Sequence, residues 1–190
     1  MLKIKRLLDL LLSITALIIF APILLAIIIL VRATSKGPAI HWSKRVGKNN
    51  QIFLMPKIRS MYIDAPQLAT DLMNANAKSY VTPVGRILRK TSLDELPQIW
   101  SVVVGDMSIV GPRPALFNQY NLIELRTKND IHKLQPGITG WAQINGRDLV
   151  TDEEKTALDA FYLHNKSILL DIKIIALTFI AVIRPKNITH

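Results

Sequence analysis

The sequence predicts an α+β protein that is mostly helical, with an N-terminal membrane helix followed by one small domain. The apolar run LLDLLLSITALIIFAPILLAIIILV extends from Leu7 to Val31 and is long enough to cross a bilayer core as a helix. The short β-like run Ile52–Met55 can pair with the nearby AIHW run in a small hairpin. Most of the remaining chain has helical periodicity, so we place the membrane helix at 1–33 and the domain at 34–190.

The N-terminal apolar segment has two possible topologies. It is too long for the apolar region of a cleaved signal peptide, and no small-residue cleavage site ends it. Pro22 lacks the N–H that continues a helix, so we expect a break near this residue. Lysine and arginine flank both ends of the run, and the positive-inside rule favours keeping both flanks in the cytoplasm. A re-entrant helix–break–helix satisfies both flanks, whereas a kinked spanning helix is the alternative because membrane helices tolerate proline.

Charged residues at the start of this segment mark the expected membrane boundary. Lys5 and Arg6 precede the apolar run, and Asp9 follows them by about one helical turn. Residues three or four positions apart share a helix face, so we expect Asp9 to pair with Lys5 or Arg6 near the interface.

The composition narrows the classes of function. The 190 residues carry a formal net charge of +10, which indicates a polyanionic partner: nucleic acid, an anionic membrane or a phosphorylated substrate. The mean hydropathy of +0.26, the few aromatic residues and the absence of recognition motifs argue against a nucleic-acid binder. The chain has no cysteine, which excludes disulfides, thiolate catalysis and cysteine-ligated zinc. The four histidines have no metal-ligand spacing.

Loops and helices alternate after the membrane helix. Gly-Pro content predicts a loop in TSKGPA, and the segments GDMSIVGPRP and QPGITGWAQINGRD are also predicted to be loops. Helices are expected from Asp64 onwards, after TPVG, over Leu96–Val104, from Ala115 to about Lys128, and over DEEKTALDAFYLHN. The apolar tail 167–183 carries two charged residues, so it is expected to lie either in the membrane interface or on the core.

Asp94 and Glu95 form an acidic doublet in RKTSLDELPQIW, within an otherwise basic chain. Ser92 and Glu95 have the spacing of a capping box, which would explain Glu95 as a structural residue. Asp94 would then lie in the first helical turn, where the helix dipole stabilises a carboxylate anion. Such a carboxylate can act as a nucleophile or hold a cation. Adjacent helical residues project about 100° apart, so the two carboxylates are expected to have different roles.

Basic residues in rigid contexts accompany the doublet. Arg89 precedes it, Arg113 stands between two prolines in GPRP, and Arg147 lies in a glycine-containing turn. Lys57 and Arg59 are alternating residues of a predicted strand and would share one face. Arginines bind phosphate oxygens bidentately, and a carboxylate among them is expected to stay firmly ionised. If phosphates bind, Mg²⁺ would bridge carboxylate and phosphate oxygens.

Four stretches of this chain resemble a known family. They are KRLLDLLLS with its following proline, VGKNNQIFLMPKIRSM, RKTSLDELPQIWSVVVGDMSIVGPRP and LQPGITGWAQINGR. The chain resembles the bacterial sugar transferases, specifically the small monotopic phosphoglycosyl transferases, over nearly its whole length. The third stretch is long and specific, so a chance match is not a serious alternative.

The resemblance implies an activity and a location. The activity is transfer of a sugar-1-phosphate from a UDP-sugar to undecaprenyl (polyprenol) phosphate with release of UMP, the first membrane step of bacterial glycan assembly. The location is the bacterial inner membrane, entered by a re-entrant helix, with the catalytic domain facing the cytoplasm. A non-catalytic membrane-anchored scaffold or a degenerate homologue is the alternative, against which the intact doublet and GPRP argue.

The resemblance also implies roles for individual residues. Asp94 matches the family's nucleophile, which would form a covalent aspartyl-phosphosugar intermediate in a ping-pong course. Glu95 matches the second member of the dyad, and both carboxylates are implied as Mg²⁺ ligands. Arg89 and Arg113 match the arginines around the phosphates, and Arg147 is the candidate for binding the nucleotide diphosphate.

The chain departs from the family pattern at a few positions outside the dyad. IHWS stands at Ile40–Ser43, where the family has more phenylalanine and a glutamine. Ile58 replaces a usual phenylalanine, and Asn50 replaces a usual glycine. These positions can bear on sugar choice or on packing against the membrane.

Overall fold

The computed structural model describes residues 2–65, 80–146 and 151–183. In this part of the chain the protein is mostly helical α+β, as predicted. The elements in order are α1 (Leu2–Thr34), β1 (Ile40–Val46), β2 (Ile52–Ile58), α2 (Pro83–Lys90), α3 (Gln98–Val104), β3 (Ser108–Val110), α4 (Tyr120–Lys128), β4 (Gly137–Thr139), α5 (Trp141–Asn145), α6 (Asp152–Asn165) and α7 (Ile168–Ile183). Single 3₁₀ turns occur at Lys48–Asn50, Leu93–Glu95 and Ile131–Lys133.

Helix α1 is long and apolar enough to cross a membrane, and it is the one such helix among the described residues. Only 11 % of its most apolar window is buried inside the protein, so most of its apolar surface needs another apolar environment. The helix continues through Pro22, so the break that the sequence predicts there is not found. A proline removes one backbone hydrogen bond, but its fixed φ is compatible with a helix, and the adjoining turns can continue.

Two cations bind the N-terminal end of α1 to the domain. The Lys5 ammonium lies 2.6 Å from a carboxylate oxygen of Asp171 in α7. The Arg6 guanidinium donates to the carbonyl oxygens of Val102 and Val103, at 2.6 and 2.9 Å. These carbonyls end α3, where helical C=O groups have no partner within the helix and attract a cation. The start of α1 is therefore fixed to both α3 and α7.

Asp9 is also used in this contact, and its predicted pairing with Lys5 or Arg6 is wrong. Its carboxylate accepts hydrogen bonds from the Ser108 hydroxyl at 2.8 Å and from the Ile109 amide at 3.2 Å. Asp9 faces the domain and is buried, so β3 supplies the donors that its carboxylate requires.

The C-terminal end of α1 packs on a different part of the same domain. Ile27 and Val31 form a buried cluster with Ala39, which precedes β1, Ile58 of β2 and Leu88 of α2. Burying such aliphatic side chains contributes about 1.5–3 kcal/mol each. Both ends of α1 are thus in contact with one domain.

Strands β1 and β2 form the predicted hairpin as an antiparallel pair, with Ile40 opposite Ile58 and Val46 opposite Ile52. In the turn between them, Asn49 and Asn50 have φ values of 54° and 60°. Asparagine is one of the few non-glycine residues that adopts this left-handed region readily, so the turn suits its sequence.

A second, parallel pair of strands joins β3 to β4, with Ser108 beside Gly137 and Val110 beside Thr139. The sequence analysis predicts loops in both segments, and this is wrong because three-residue strands are too short to show an alternating pattern. A Cβ added at Gly137 would overlap the backbone of Gly111, so only glycine permits this close approach. The predicted loop QPGITGWAQINGRD also contains the short helix α5.

Two other helices begin later than predicted. α3 begins at Gln98 rather than at Leu96, and Pro97 precedes it in the N-cap position, where a missing N–H costs nothing. α4 begins at Tyr120 rather than at Ala115, because the carbonyl oxygen of Ala115 accepts a hydrogen bond from β1 instead. The helix predicted from Asp64 falls on residues 66–79, which lie outside the described part of the chain.

Helix α7 has one face on the core and one apolar face exposed. Ile174 is fully buried, and the helix contacts β3, β4 and α5. Leu169, Ile172 and Phe179 point outwards and are exposed. The helix therefore packs on the core, and the placement of its outer face in the membrane interface stays a prediction.

Candidate active site

The acidic doublet lies in the 3₁₀ turn Leu93–Glu95, which connects α2 to α3. The capping box predicted for Ser92 and Glu95 is not formed. Ser92 adopts a left-handed conformation with φ of 56°, and its side chain caps nothing. Instead, the Glu95 amide donates to the Ser92 carbonyl oxygen at 3.2 Å, and the Glu95 side chain turns towards β2 and the GPRP loop.

Glu95 is held by two cations. The Lys57 ammonium donates to one carboxylate oxygen at 2.9 Å. The Arg113 guanidinium donates to both oxygens, at 2.5 and 3.4 Å. Burial would raise the pKa of the Glu95 carboxyl, but the charges and hydrogen bonds of Arg113 and Lys57 outweigh burial and hold the pKa far below its usual range. Glu95 is therefore an anion at every physiological pH.

Asp94 differs from Glu95 in its burial, its contacts and the direction of its pKa shift. It is 8 % exposed, and burial raises its pKa to about 6, with the Glu95 charge adding to the rise. Lys57 and Arg89 lower the pKa but do not cancel these effects. The prediction of a firmly ionised carboxylate among cations therefore fits Glu95 but not Asp94, where burial outweighs attraction to cations. Above pH 6 the group is still mostly an anion.

The predicted basic residues separate into three groups. Lys57 and Arg113 contact Glu95 directly, and Arg89, at the end of α2, is close enough to Asp94 to lower its pKa. Arg59 is buried elsewhere, where it donates to the Ser35 hydroxyl at 2.7 Å and carbonyl at 2.9 Å, just beyond α1. Arg147 lies outside the described residues.

Arg45 is a cation of the site that the sequence analysis misses. His41 stands opposite Lys57 in the hairpin, so their side chains lie on the same face. Arg45 follows His41 by four residues in β1, and alternate strand residues share a face, so Arg45 lies on this face too. Burial and the Arg113 charge lower its pKa to about 10, so it remains a cation. The alternation of His41, Ser43 and Arg45 along β1 is the signal that could have identified it.

Hydrogen bonds to four consecutive carbonyl oxygens position the GPRP loop. The oxygens of Pro112 and Ala115 accept from backbone amides of Gly137 and Val46, each at 2.9 Å. Those of Arg113 and Pro114 accept from the guanidinium groups of Arg126 and Arg45, at 2.8 and 3.2 Å. The two prolines also restrict φ on either side of Arg113. The backbone of Arg113 is therefore fixed both by hydrogen bonds to its neighbouring carbonyl oxygens and by the proline rings.

The carboxylates fit Mg²⁺ by the chemistry of their donor atoms. Mg²⁺ prefers hard oxygen ligands and is usually bound by one or two carboxylates together with waters and substrate phosphates. Asp94 and Glu95 supply two carboxylates, and no cluster of three or more acidic or histidine residues occurs in the described ranges. The two carboxylates can therefore supply part of a Mg²⁺ coordination sphere, which substrate phosphate oxygens and water would complete.

The arrangement is suited to reactions of phosphoryl groups. A buried carboxylate with a pKa of about 6 can attack an electrophilic phosphorus. Three neighbouring cations, Lys57, Arg113 and Arg45, can stabilise the negative charge of phosphate oxygens.

Comparisons with known proteins agree with this chemistry. The family model described as bacterial sugar transferase matches residues 1–185. The sugar transferase EpsL of Bacillus subtilis (strain 168) is 40 % identical, with 92 % of this chain and 84 % of EpsL covered.

Longer relatives are equally similar. An undecaprenyl-phosphate glucose phosphotransferase of Komagataeibacter xylinus is 39 % identical over 96 % of this chain. A UDP-glucose:undecaprenyl-phosphate glucose-1-phosphate transferase of Klebsiella pneumoniae is 43 % identical over 92 % of it. The matched region makes up only 36 % and 39 % of these two proteins. The resemblance seen in the four sequence stretches is thus confirmed, and the chain belongs to the bacterial sugar transferase family.

Proposed function

We propose that this protein transfers a sugar-1-phosphate from a UDP-sugar to undecaprenyl phosphate and releases UMP. The observation that carries the proposal is the adjacency of a buried Asp94, whose pKa is raised to about 6, and a Glu95 that binds Lys57 and Arg113. The names of the relatives, which include undecaprenyl-phosphate sugar phosphotransferases, support the same reaction. The net charge of +10 suits two phosphorylated substrates.

The proposed mechanism has two displacements at one phosphorus atom. An Asp94 carboxylate oxygen attacks the β-phosphorus of the UDP-sugar, and the bond from this phosphorus to the bridging oxygen breaks. The bridging oxygen leaves on UMP with the electron pair. A phosphate oxygen of undecaprenyl phosphate then attacks the same phosphorus, and the Asp94 carboxylate leaves unchanged. This ping-pong course requires Asp94 as an anion, which a pKa of about 6 permits at neutral pH.

The second carboxylate and the cations have distinct roles in this mechanism. Glu95 keeps Lys57 and Arg113 beside Asp94, where they stabilise charge on the transferring phosphoryl group. Asp94 and Glu95 would hold Mg²⁺, which when bound neutralises part of the diphosphate charge. Arg89 is proposed to contact the phosphates from the end of α2. Arg59 and Arg147 remain proposed phosphate ligands on sequence grounds alone.

The membrane helix brings the site to its lipid substrate. We propose that α1 enters and leaves the cytoplasmic membrane of a bacterium on one side, with the domain in the cytoplasm. Contacts of both its ends with one small domain support this topology, because a spanning helix would place its ends on opposite sides. The cationic residues at both ends also favour the cytoplasmic side.

The test is UMP release by the purified protein in detergent, with Mg²⁺, undecaprenyl phosphate and a panel of UDP-sugars. Release with at least one donor, lost in Asp94→Asn and on chelation, is expected. Asp130→Asn is the matched control, because Asp130 is exposed and its ion pair in the described part of the chain is with Lys133, three residues away. Mass spectrometry should find a phosphosugar on Asp94 when the lipid acceptor is omitted. UMP release that persists in Asp94→Asn would refute the mechanism, and no release with any donor would refute the activity.

A further inference from the structure

A buried ion pair connects α4 and α6 behind the GPRP loop. Arg126 of α4 donates through two nitrogens to one carboxylate oxygen of Asp159 in α6, at 2.6 and 3.0 Å. The Asp159 side chain is 1 % exposed and that of Arg126 is 11 % exposed. The remaining terminal nitrogen of Arg126 donates to the Arg113 carbonyl oxygen at 2.8 Å. The Arg126 guanidinium thus connects the buried Asp159 carboxylate to the backbone of Arg113, a residue of the candidate active site.

Stability alone is a poor explanation for this pair. Removing two charges from water costs several kcal/mol per ion, and apolar replacements of buried pairs are often neutral or stabilising. Burial raises the pKa of Asp159 despite the nearby Arg126 charge, which is consistent with such a cost. An apolar pair could fill the same space, but it could not donate a hydrogen bond to the Arg113 carbonyl.

The hydrogen bond from Arg126 to the Arg113 carbonyl is important because the side chain of the same Arg113 contacts Glu95. The side chain of Arg113 reaches Glu95 at 2.5 Å and is 41 % exposed. Its backbone sets where this side chain begins, so a shift of the Arg113 carbonyl would move the guanidinium relative to Glu95. The carbonyls on either side are fixed by Gly137 and Arg45, and Arg126 fixes the central one.

We propose that Arg126 and Asp159 are positioning residues for the transfer reaction, which set the place of the Arg113 guanidinium beside Glu95 and the donor phosphates. This proposal rests on the proposed function of Arg113. Asp159 orients the Arg126 guanidinium by binding two of its nitrogens, and Arg126 then holds the Arg113 carbonyl. Among the described residues neither Arg126 nor Asp159 has a hydrogen bond to Asp94, so we assign their effect on the rate to the contact with Arg113.

The test replaces the pair by apolar residues, Arg126→Met with Asp159→Leu, in the full chain. The melting temperature is expected to stay at or above that of the wild type. We expect kcat/KM for the UDP-sugar to fall about 10–100-fold, because small displacements of positioned groups have effects of this size. The same replacement in an Arg113→Met background should change kcat/KM less than about twofold, because no charged group then remains at residue 113 to be positioned. A similar fall in both backgrounds, or no fall in either, would overturn the proposal.

Two further variants keep the test decisive if the apolar pair does not fold. Arg126→Lys retains a charge for Asp159 but loses the planar fork that reaches two partners, and it should show the same dependence on Arg113. The replacement Lys128→Met with Glu124→Leu is the matched control, because this exposed pair on the same helix does not contact the GPRP loop. Its kinetics should equal those of the wild type. A comparable loss in this control would also count against the proposal.

Hydrogen exchange separates failure of this proposal from failure of the proposed function. The amides of Gly137 and Val46 donate to the carbonyls on either side of the Arg113–Pro114 segment. Both should exchange faster in Arg126→Lys than in the wild type, whether or not any UDP-sugar is turned over. Unchanged exchange at both amides would overturn the positioning role even in an active enzyme. Faster exchange in a protein that releases no UMP would leave the positioning contact valid and refute the activity.

Discussion

Three aspartates in this protein are buried to nearly the same extent but have different surroundings. Asp9 and Asp171, where α1 meets the domain, are 7 % and 9 % exposed, and Asp94 is 8 % exposed. Both oxygens of Asp9 and of Asp171 accept hydrogen bonds, from β3 in one case and from Lys5 and Tyr162 in the other. Among the described residues, no side chain donates to Asp94.

This difference separates structural carboxylates from a reactive one. A buried carboxylate whose two oxygens both accept hydrogen bonds from the fold stabilises a contact and is a weaker nucleophile, because those bonds must be weakened before it can attack. Asp94 bears the cost of burial without a side-chain donor among the described residues, and its neighbour Glu95 accepts the hydrogen bonds of Lys57 and Arg113. The comparison predicts that the same isosteric change will affect activity at one aspartate and stability at the others.

The largest effect is expected for Asp94→Asn compared with Asp9→Asn. Loss of the nucleophile should lower kcat for UMP release by about 10⁴-fold or more, as removing a covalent catalyst does in other enzymes. Asp9→Asn should keep kcat within about tenfold of the wild type, because the Asn oxygen can still accept from Ser108. Initial rates at saturating UDP-sugar measure both. Equal losses in the two variants would remove the distinction between reactive and structural carboxylates.

The pH dependence of the reaction provides the second prediction. Because burial raises the pKa of Asp94 to about 6, kcat/KM should rise about tenfold per pH unit below this value and level off above pH 7. Glu95 should add no step above pH 4, because its pKa is held far below the usual range. Rates from pH 4.5 to 8.5 at constant ionic strength test this. A half-maximum near pH 4 would indicate that Asp94 is not desolvated in the free enzyme.

Stability should change in opposite directions at the two regions. The pKa of Asp94 is higher in the folded than in the unfolded protein, so its favourable contribution to folding exists at low pH and is lost as the pH rises through 6. At pH 8, Asp94→Asn should therefore stabilise the fold by about 2–3 kcal/mol, since each pKa unit corresponds to about 1.4 kcal/mol. Denaturant unfolding of the detergent-solubilised protein measures the difference.

Asp171→Asn should instead destabilise the protein at the same pH. The variant weakens the contact with Lys5, which is partly exposed, so we expect a loss of about 1–3 kcal/mol, between the values of surface and buried pairs. If both Asn variants shift the free energy of unfolding in the same direction, Asp94 does not bear an uncompensated cost of burial.

The sequence predicts well those features that depend on neighbouring residues. The apolar run predicts α1, the β-like run Ile52–Met55 predicts the β1–β2 hairpin, and DELPQIW identifies the doublet. The capping-box prediction is wrong because the same spacing also occurs in a 3₁₀ turn. The left-handed conformation of Ser92 is compatible with the 3₁₀ turn that is found at Leu93–Glu95. Local patterns thus determine the elements but do not always decide between two similar turns.

Contacts between residues that are far apart in the sequence cannot be predicted from such local patterns. Asp9 and Ser108 are 99 positions apart, and Arg126 and Asp159 are 33 apart, so neither pairing leaves a periodic signal. The sequence predicts Lys5 or Arg6 as the partner of Asp9 because these are the nearest cations along the chain. In the structure Asp9 is buried against β3, which supplies its hydrogen-bond donors. The raised pKa of Asp94 likewise depends on three-dimensional burial, which the surrounding basic sequence does not indicate.

The smallest effect is expected from two cations that the sequence places on one strand face. Lys57 donates to Glu95, whereas Arg59 donates to Ser35 at the far end of α1. Lys57→Met should lower kcat/KM about 10–100-fold, because it removes a charge-assisted hydrogen bond at the site. Arg59→Met should change kcat/KM less than about threefold, because its contacts lie at the end of α1 rather than at Glu95. UMP release with one active UDP-sugar measures both variants. An equal loss in Arg59→Met would restore the sequence-based assignment of Arg59 as a phosphate ligand, and it would extend the candidate active site from Glu95 to the end of the membrane helix.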